Sequence, residues 1–312
     1  MGMLDSLLGK LDATLGDADA REVRSAARRG DTPILESNID GTTEWSYRAF
    51  YAELAARARP GRPAWLDGWS GHSPQSAAAH LVSGINHIHL AWEARGFEWV
   101  PKNHGEFQRL LRLAEASLRQ AARLAPSDPT PHAWLARTAY GLSQGADAVE
   151  AHAREALARD PHNRLAHSNA VQGLASKWGG RDERMWDFVK ASMKRAPEGA
   201  LSCASVVEAM LELGATAERQ RKVPDLRDFM KQDGVRSAVV QAGERFYSGV
   251  PKGSIYDQTF IHGYFALGGD LAGVRELASK ALALMGDRVV EYPWFYFGSP
   301  VRVARSVRSK YF

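Results

Sequence analysis

A chain of 312 residues, 45% hydrophobic and 24% charged, has the make-up of a soluble globular protein and enough length for one large or two medium domains. Its net charge of +4 is a small surplus of arginine rather than a basic block, and its single cysteine, Cys203, excludes an internal disulfide and a cysteine-based zinc site. No apolar run approaches the roughly 20 residues that span a bilayer. The opening Met1-Gly-Met-Leu-Asp-Ser-Leu-Leu-Gly-Lys10 also lacks the basic-then-apolar layout of a signal peptide, so a cytoplasmic location is expected, with neither a membrane nor nucleic acid as partner.

In chain order, residues 20–29 read as a helix closed by a turn at Gly30-Asp31. Residues 57–76 hold Pro60, Pro63, Pro74 and several glycines, which reads as a linker or an ordered loop. Residues 80–104 carry four histidines: His80, His87, His89 and His104. His80 and His87 share one helix face, and His89 shares another with Glu93, at the i, i+4 spacing that can grip a metal ion. His87 and His89, two apart, point away from each other, so the expectation is polar histidines lining a groove, with no metal and no cofactor.

An internal repeat follows. Pro126, Pro161 and Pro197 lie 35 and 36 residues apart. Each ends an alanine- and arginine-rich helix: Gln120-Ala-Ala-Arg-Leu-Ala-Pro126, Ala156-Leu-Ala-Arg-Asp-Pro161 and Ser192-Met-Lys-Arg-Ala-Pro197. A proline just past a helix stops it, and a period near 34 with such a proline is tetratricopeptide spacing. His132 and His167 recur 35 apart at the same phase. Between the prolines, Ala133, Ala136 and Tyr140 define one helical face and Ala148, Val149, His152, Ala153 and Ala156 another. Small residues there let antiparallel helices approach, and one hairpin cannot bury both its faces, so hairpins stack. Tyr140 and Trp178 are expected between hairpins.

Beyond the repeat, residues 201–213 read as an apolar helix holding Cys203 as a core thiol. Residues 213–235 read as a charged, mobile connection. Residues 260–267 and 271–284 read as helices separated by a turn at Gly268-Gly269-Asp270, with Asp270 capping the second. The run 289–297 could be extended were it not interrupted by Pro293; its aromatics, Tyr292 and Trp294 to Phe297, read as a terminal cap or a ligand wall. Arg302, Arg305, Arg308 and Lys310 would form a basic stripe, read as a solvated face. The expected fold class is all-α, with an N-terminal helical region at 1–105, central repeats at 106–213 and C-terminal hairpins at 214–312.

Several pieces resemble a family of uncharacterised tetratricopeptide-repeat-like proteins of actinomycetes. They are Thr14-Leu-Gly-Asp17, Ala27-Arg-Arg-Gly-Asp31, Trp65-Leu-Asp-Gly-Trp69, Ala91-Trp-Glu-Ala-Arg-Gly96, Pro126-Ser-Asp-Pro-Thr-Pro131, Lys177-Trp-Gly-Gly180 with Met185-Trp-Asp-Phe188, and Gly286-Asp-Arg-Val-Val-Glu-Tyr-Pro-Trp294. The resemblance covers most of the chain and implies a right-handed array of helical hairpins, an α-solenoid. It brings no activity with it. The departure is Asn86-His87-Ile88-His89, where the family is mostly apolar.

No catalytic motif of the Gly-x-Ser-x-Gly, P-loop or His-Glu-x-x-His kind occurs in the sequence. The expected function is an interaction module that takes a protein or peptide partner in a concave groove lined by the first helix of each hairpin. His132, Trp134, His167 and Lys177 would line it, and a basic-aromatic lining would suit an acidic or C-terminal peptide. The alternative is an enzyme or small-molecule binder in natural-product or peptide modification. Its pocket would bring His87, Trp92 and Trp178 together where residues 80–104 meet the repeats. Arg95 could fork a carboxylate or pair with Glu93, and Lys177 with Trp178 could face a ligand or close a turn.

Overall fold

Side-chain caps and glycines set many of the helix ends. Asp17 accepts the Ala20 N–H at 2.7 Å to start α1, Ala18–Arg29, and Gly30 ends it in the left-handed conformation that glycine adopts without a steric penalty. The chain continues through α2 (Thr32–Gly41), α3 (Trp45–Ala56), α4 (Ala64–His72), α5 (Ala77–Arg95), α6 (His104–Leu124), α7 (Thr130–Gly141), α8 (Ala146–Arg159) and α9 (Arg164–Leu174). After a 3-10 turn at Ser176–Trp178 come α10 (Asp182–Arg195), a second such turn at Leu201–Cys203, α11 (Ala204–Arg219), α12 (Leu226–Met230), α13 (Asp233–Ser248), α14 (Ile255–Ala272) and α15 (Arg275–Met285). A third turn, Trp294–Phe297, precedes α16 (Pro300–Arg308). This computed structural model describes residues 11–96 and 102–312. Among the described residues the regular structure is all helical, with no strand, and no helix is long and apolar enough to cross a membrane.

The chain divides into two compact units, residues 16–173 and residues 174–312 with the short stretch 11–15. The boundary falls within the expected central segment.

In the first unit α5 and α6 run antiparallel: Gly84 meets Leu118 at one end, and Trp92 meets Phe107 edge-on at 5.2 Å at the other. A Cβ on Gly84 would stand 2.7 Å from Leu118 Cγ, so glycine sets how closely these helices approach. Gly141 of α7 packs on Leu111 of α6, and Gly173 of α9 packs on Tyr140 and Val149. Asn169 of α9 donates to the Ala133 carbonyl of α7 at 2.9 Å. Ala133, Ala136, Tyr140, Val149, Ala153 and Ala156 are buried, while Ala148 and His152 of the second face are half-buried, so the small-residue faces read from the repeat are packed in most but not all of their positions. Of the expected linker, residues 57–63 are a loop, pinned where Asn86 donates to the carbonyls of Ala56 and Gly61; residues 64–72 are helix α4 instead.

A buried ion centre holds the same unit. Arg48 of α3 donates to Asp128 at 2.6 Å, to Asp40 at 2.6 Å and to the Ile39 carbonyl at 2.6 Å. Asp128 also accepts the Thr130 N–H, so the turn into α7 is tied to α2 and α3.

The second unit departs from the sequence reading in its longest helix. Gly268, Gly269 and Asp270 are no turn; they lie inside α14, and every residue from 259 to 272 is buried. Both glycines are sites of close approach. A Cβ at Gly268 would stand 2.5 Å from Val207 of α11, and one at Gly269 would stand 2.8 Å from the backbone of Ala278 on α15. The turn comes at Gly273, with φ 70°. Asp270 is therefore not a cap. It pairs with Arg227 at 3.2 Å and Lys310 at 2.7 Å, and accepts from Tyr311 at 3.1 Å. The expected mobile connection at 213–235 is largely helical, with Gly214 of α11 against Leu226 and Phe229 at α12. The run 289–297 is likewise not extended: Trp294 is fully buried in a 3-10 turn. Cys203 is buried, and burial pushes its thiol up to about 12, which makes it an inert core residue.

Candidate functional site

The residues that line α5 and α6 outward recur at helical spacing. On α5 they are His87, Leu90 and Ala94, with Glu93 beside them; on α6 they are Glu106, Arg109, Leu110 and Leu113. Together with Arg62 and Asp67, from the loop and α4, these faces enclose an open groove of about 610 Å³. Its apolar lining includes Leu113, which is 39% exposed.

The charged lining is held in fixed pairs. Arg62 donates to Asp67 at 2.8 Å, to Asn86 at 3.2 Å and to Ser83 at 2.9 Å, so its guanidinium is anchored on α5. Arg109 grips Glu106 with two bonds of 2.7 Å, the bidentate geometry of a guanidinium on a carboxylate.

His87 stands apart within this lining. It is only 8% exposed, and its Nδ1 is buried with no hydrogen-bond partner among the described residues. Burial lowers its pKa to about 4; the nearby Arg62 and Arg109 charges push the same way and Asp67 opposes them. The ring is therefore neutral at physiological pH, with one donor and one acceptor nitrogen. A buried polar atom left unpaired costs on the order of 1–3 kcal/mol, which is why this imidazole marks the groove.

The other sequence-derived residues fall elsewhere. Trp92, Arg95 and Trp134 come together around Arg137, a residue the sequence reading did not select. Its guanidinium lies 5.3 Å from the Trp92 ring and 5.7 Å from the Trp134 ring, and Arg95 lies 5.7 Å from Trp92. Trp134 is 1% exposed and belongs to the core of its unit. His89 faces this cluster rather than the groove, edge-on to Trp134 and 3.6 Å from Glu53. His132 is half-buried beside His152, with ring centroids 6.4 Å apart. His167 is buried and bonds the Pro161 carbonyl at 3.1 Å, so its repeat phase serves the turn. His80 bonds the Pro74 carbonyl, and His104 is exposed at the start of α6.

Lys177 and Trp178 belong to the second unit. Lys177 donates to the buried Glu212 at 2.7 Å, and Tyr296 donates to the same carboxylate at 3.2 Å. Trp178 is half-buried at the end of its 3-10 turn. The basic stripe is divided: Arg308 donates to the carbonyls of Leu282 and Gly286 at the end of α15, Lys310 binds Asp270, and Arg302 and Arg305 are exposed.

Among the described residues no three His, Cys, Asp or Glu side chains are grouped to hold a metal ion. No model of a known protein family matches the chain, and no curated protein matches it.

Proposed function

We propose that the chain is a helical-repeat interaction module of the tetratricopeptide-like solenoid type, akin to the actinomycete family it resembles and cytoplasmic as expected from its sequence. It takes a peptide segment of a partner protein in the groove of α4, α5 and α6. The observation that carries this reading is the groove lining: two packed helices offer apolar side chains at three- and four-residue spacing, bordered by anchored charges. The hairpins ending at Pro126, Pro161 and Pro197 support the repeat reading, since stacked hairpins are scaffolds that present extended surfaces to polypeptides. The binding surface is thus moved from the first helices of the central repeats, where Trp134 is committed to the core, to the α5–α6 hairpin.

A leucine-sized anchor buried there contributes roughly 1.5–3 kcal/mol, so two or three anchors supply a micromolar complex once ordering costs are met. Selection of random 12-residue peptides displayed on phage tests the reading. Enriched peptides are expected to lose binding to a Leu113→Asp variant that keeps its helicity and melting temperature. Failure to enrich any peptide, or enrichment of peptides indifferent to Leu113→Asp, contradicts it.

A second reading, a small-molecule site, draws on the same volume, which lies within the roughly 300–1,000 Å³ of ligand pockets. His87 fits that reading, whereas Trp92 and Trp134 sit around Arg137 instead.

A further inference from the structure

Each charged side chain described in the groove lining is already answered from within the chain. Arg62 is bound to Asp67, Asn86 and Ser83, and Arg109 holds Glu106 through two bonds. Glu93 has an interaction partner of its own. A carboxylate, as in an acidic or C-terminal peptide, would have to open one of these pairs to find a cation. An ammonium would have to open one to find an acid. Exchanging one exposed pair for another gains almost nothing, so the lining prefers neither sign of charge.

What the lining leaves unmet is apolar surface and one imidazole. His87 lies among Leu90, Leu110 and Leu113, and it precedes Leu90 by three residues on the same face of α5. It is 8% exposed, and its Nδ1 has no hydrogen-bond partner among the described residues, whereas Arg62, Asn86 and Ser83 beside it are bonded to one another. Such an atom is uncommon, because burial removes its water and nothing replaces it. A half-turn about the Cβ–Cγ bond carries Nδ1 to the opposite edge of the ring, so either nitrogen can be offered to the groove. An amide or a hydroxyl both donates and accepts, so it pairs with the neutral ring in either tautomer; a carboxylate only accepts and an ammonium only donates. Either ion would also lose its water at a place with no counter-ion to spare.

We infer that the partner segment held in the groove is uncharged where it touches the lining: apolar anchors pack on Leu90, Leu110 and Leu113, and among them one asparagine, glutamine, serine or threonine side chain hydrogen-bonds His87. A single polar contact in an otherwise apolar seam sets register, as a buried asparagine does in a coiled coil. The imidazole therefore fixes where along the groove the segment sits, and the leucines hold it there. This inference rests on the peptide-binding reading of the same groove and adds the charge of the contact face and the polar contact that sets its register.

The test runs the phage selection of random 12-residue peptides twice, on the full chain and on its His87→Leu variant, whose fold is checked by circular dichroism. His87→Phe, closer in shape to the imidazole ring, serves in its place if His87→Leu does not fold. Peptides enriched on the unaltered chain are expected to carry asparagine, glutamine, serine or threonine at one fixed place between apolar residues, and those enriched on the variant an apolar residue there. In anisotropy titrations of the tightest peptide from the unaltered chain, leucine in place of that polar residue is expected to weaken binding about tenfold to the unaltered chain and not to the variant. Its affinity is expected to change by less than about twofold between 0.05 and 0.5 M salt. An acidic or basic residue enriched at that place, or a salt dependence of about tenfold, overturns the uncharged contact face. The same preference on both proteins overturns the contact with His87. Both results leave the groove reading in place so long as Leu113→Asp abolishes binding, whereas a selection that enriches nothing overturns the groove reading and this inference with it.

Discussion

Asp128 and Asp270 are both buried aspartates that gather cations from distant parts of their units, and they are covered very differently. Asp128 and its partner Arg48 are sealed, with side chains 1% and 5% exposed. Asp270 is nearly as buried, but its partners Lys310 and Arg227 are 46% and 41% exposed. Burial works against the charge on Arg48, and Asp128 and Asp40 outweigh it. Burial likewise pushes the Asp270 carboxyl up, but bonds from Lys310, Arg227 and Tyr311 leave it below its ordinary value. The same chemistry thus makes an anchor in one unit and a latch on the C-terminal residues in the other. Removing Asp128 leaves the buried Arg48 with Asp40 as its one remaining carboxylate among the described residues and little access to water, whereas removing one partner of the latch lets water in.

The largest expected effect breaks the anchor. Asp128→Ala should destabilise the unit of residues 16–173 by about 3–5 kcal/mol, with little change between 0.1 and 0.5 M salt, as read by urea denaturation. A loss below about 1 kcal/mol would show that Arg48 finds solvent.

Acidification compares the units through their buried histidines. His87 in the first and His262 in the second are both lowered from 6.5 to about 4, chiefly by burial. The unfolded chain therefore takes up a proton first as pH falls below about 6.5, and stability is lost progressively down to about 4. Between pH 7 and pH 5 each group should cost ~2 kcal/mol. His87→Gln should reduce that pH dependence in the first unit, where burial also lowers His89, His132 and His152, and His262→Gln should reduce it in the second alone. An unchanged slope in either variant contradicts the assignment.

Trp178→Ala should cost about half of the ~3–5 kcal/mol of a fully buried tryptophan, because this one is half-buried. An unchanged melting temperature would put the ring in solvent. The smallest effect opens the latch: Lys310→Ala should cost ~0.5–1 kcal/mol at low salt and almost nothing at 0.5 M. A loss that salt does not diminish would place Asp270 in the same class as Asp128.

Much of the helix pattern around the repeat was legible because prolines and small residues recur with one period. Helices α6 and α8 each bury one stripe, so their apolar spacing is visible in the sequence. Helix α14 was misread for the opposite reason. It is buried on all sides, so it shows no stripe, and its paired glycines, needed for contact with Val207 and Ala278, look like a turn. Asp270 looked like a cap because its partners, Arg227, Lys310 and Tyr311, lie 40 or more residues away in one direction or the other. His87 was singled out as a polar interruption of an apolar run. Arg62, Arg109, Leu110 and Leu113 were missed, since the groove is assembled from three elements whose pairing no local spacing reveals. Arg137 was missed likewise: it follows Trp134 by three residues, but its second indole comes from α5.

The central claim, proposed above, that the groove of α4, α5 and α6 is where a partner peptide binds, is tested most directly by methyl and imidazole NMR during titration with a peptide enriched in the phage selection. The account predicts saturable shifts at Leu90, Leu110, Leu113 and the His87 ring at one peptide per chain, and none at residues around Lys177. Saturation that leaves those four signals unmoved, or moves those around Lys177 instead, would contradict it.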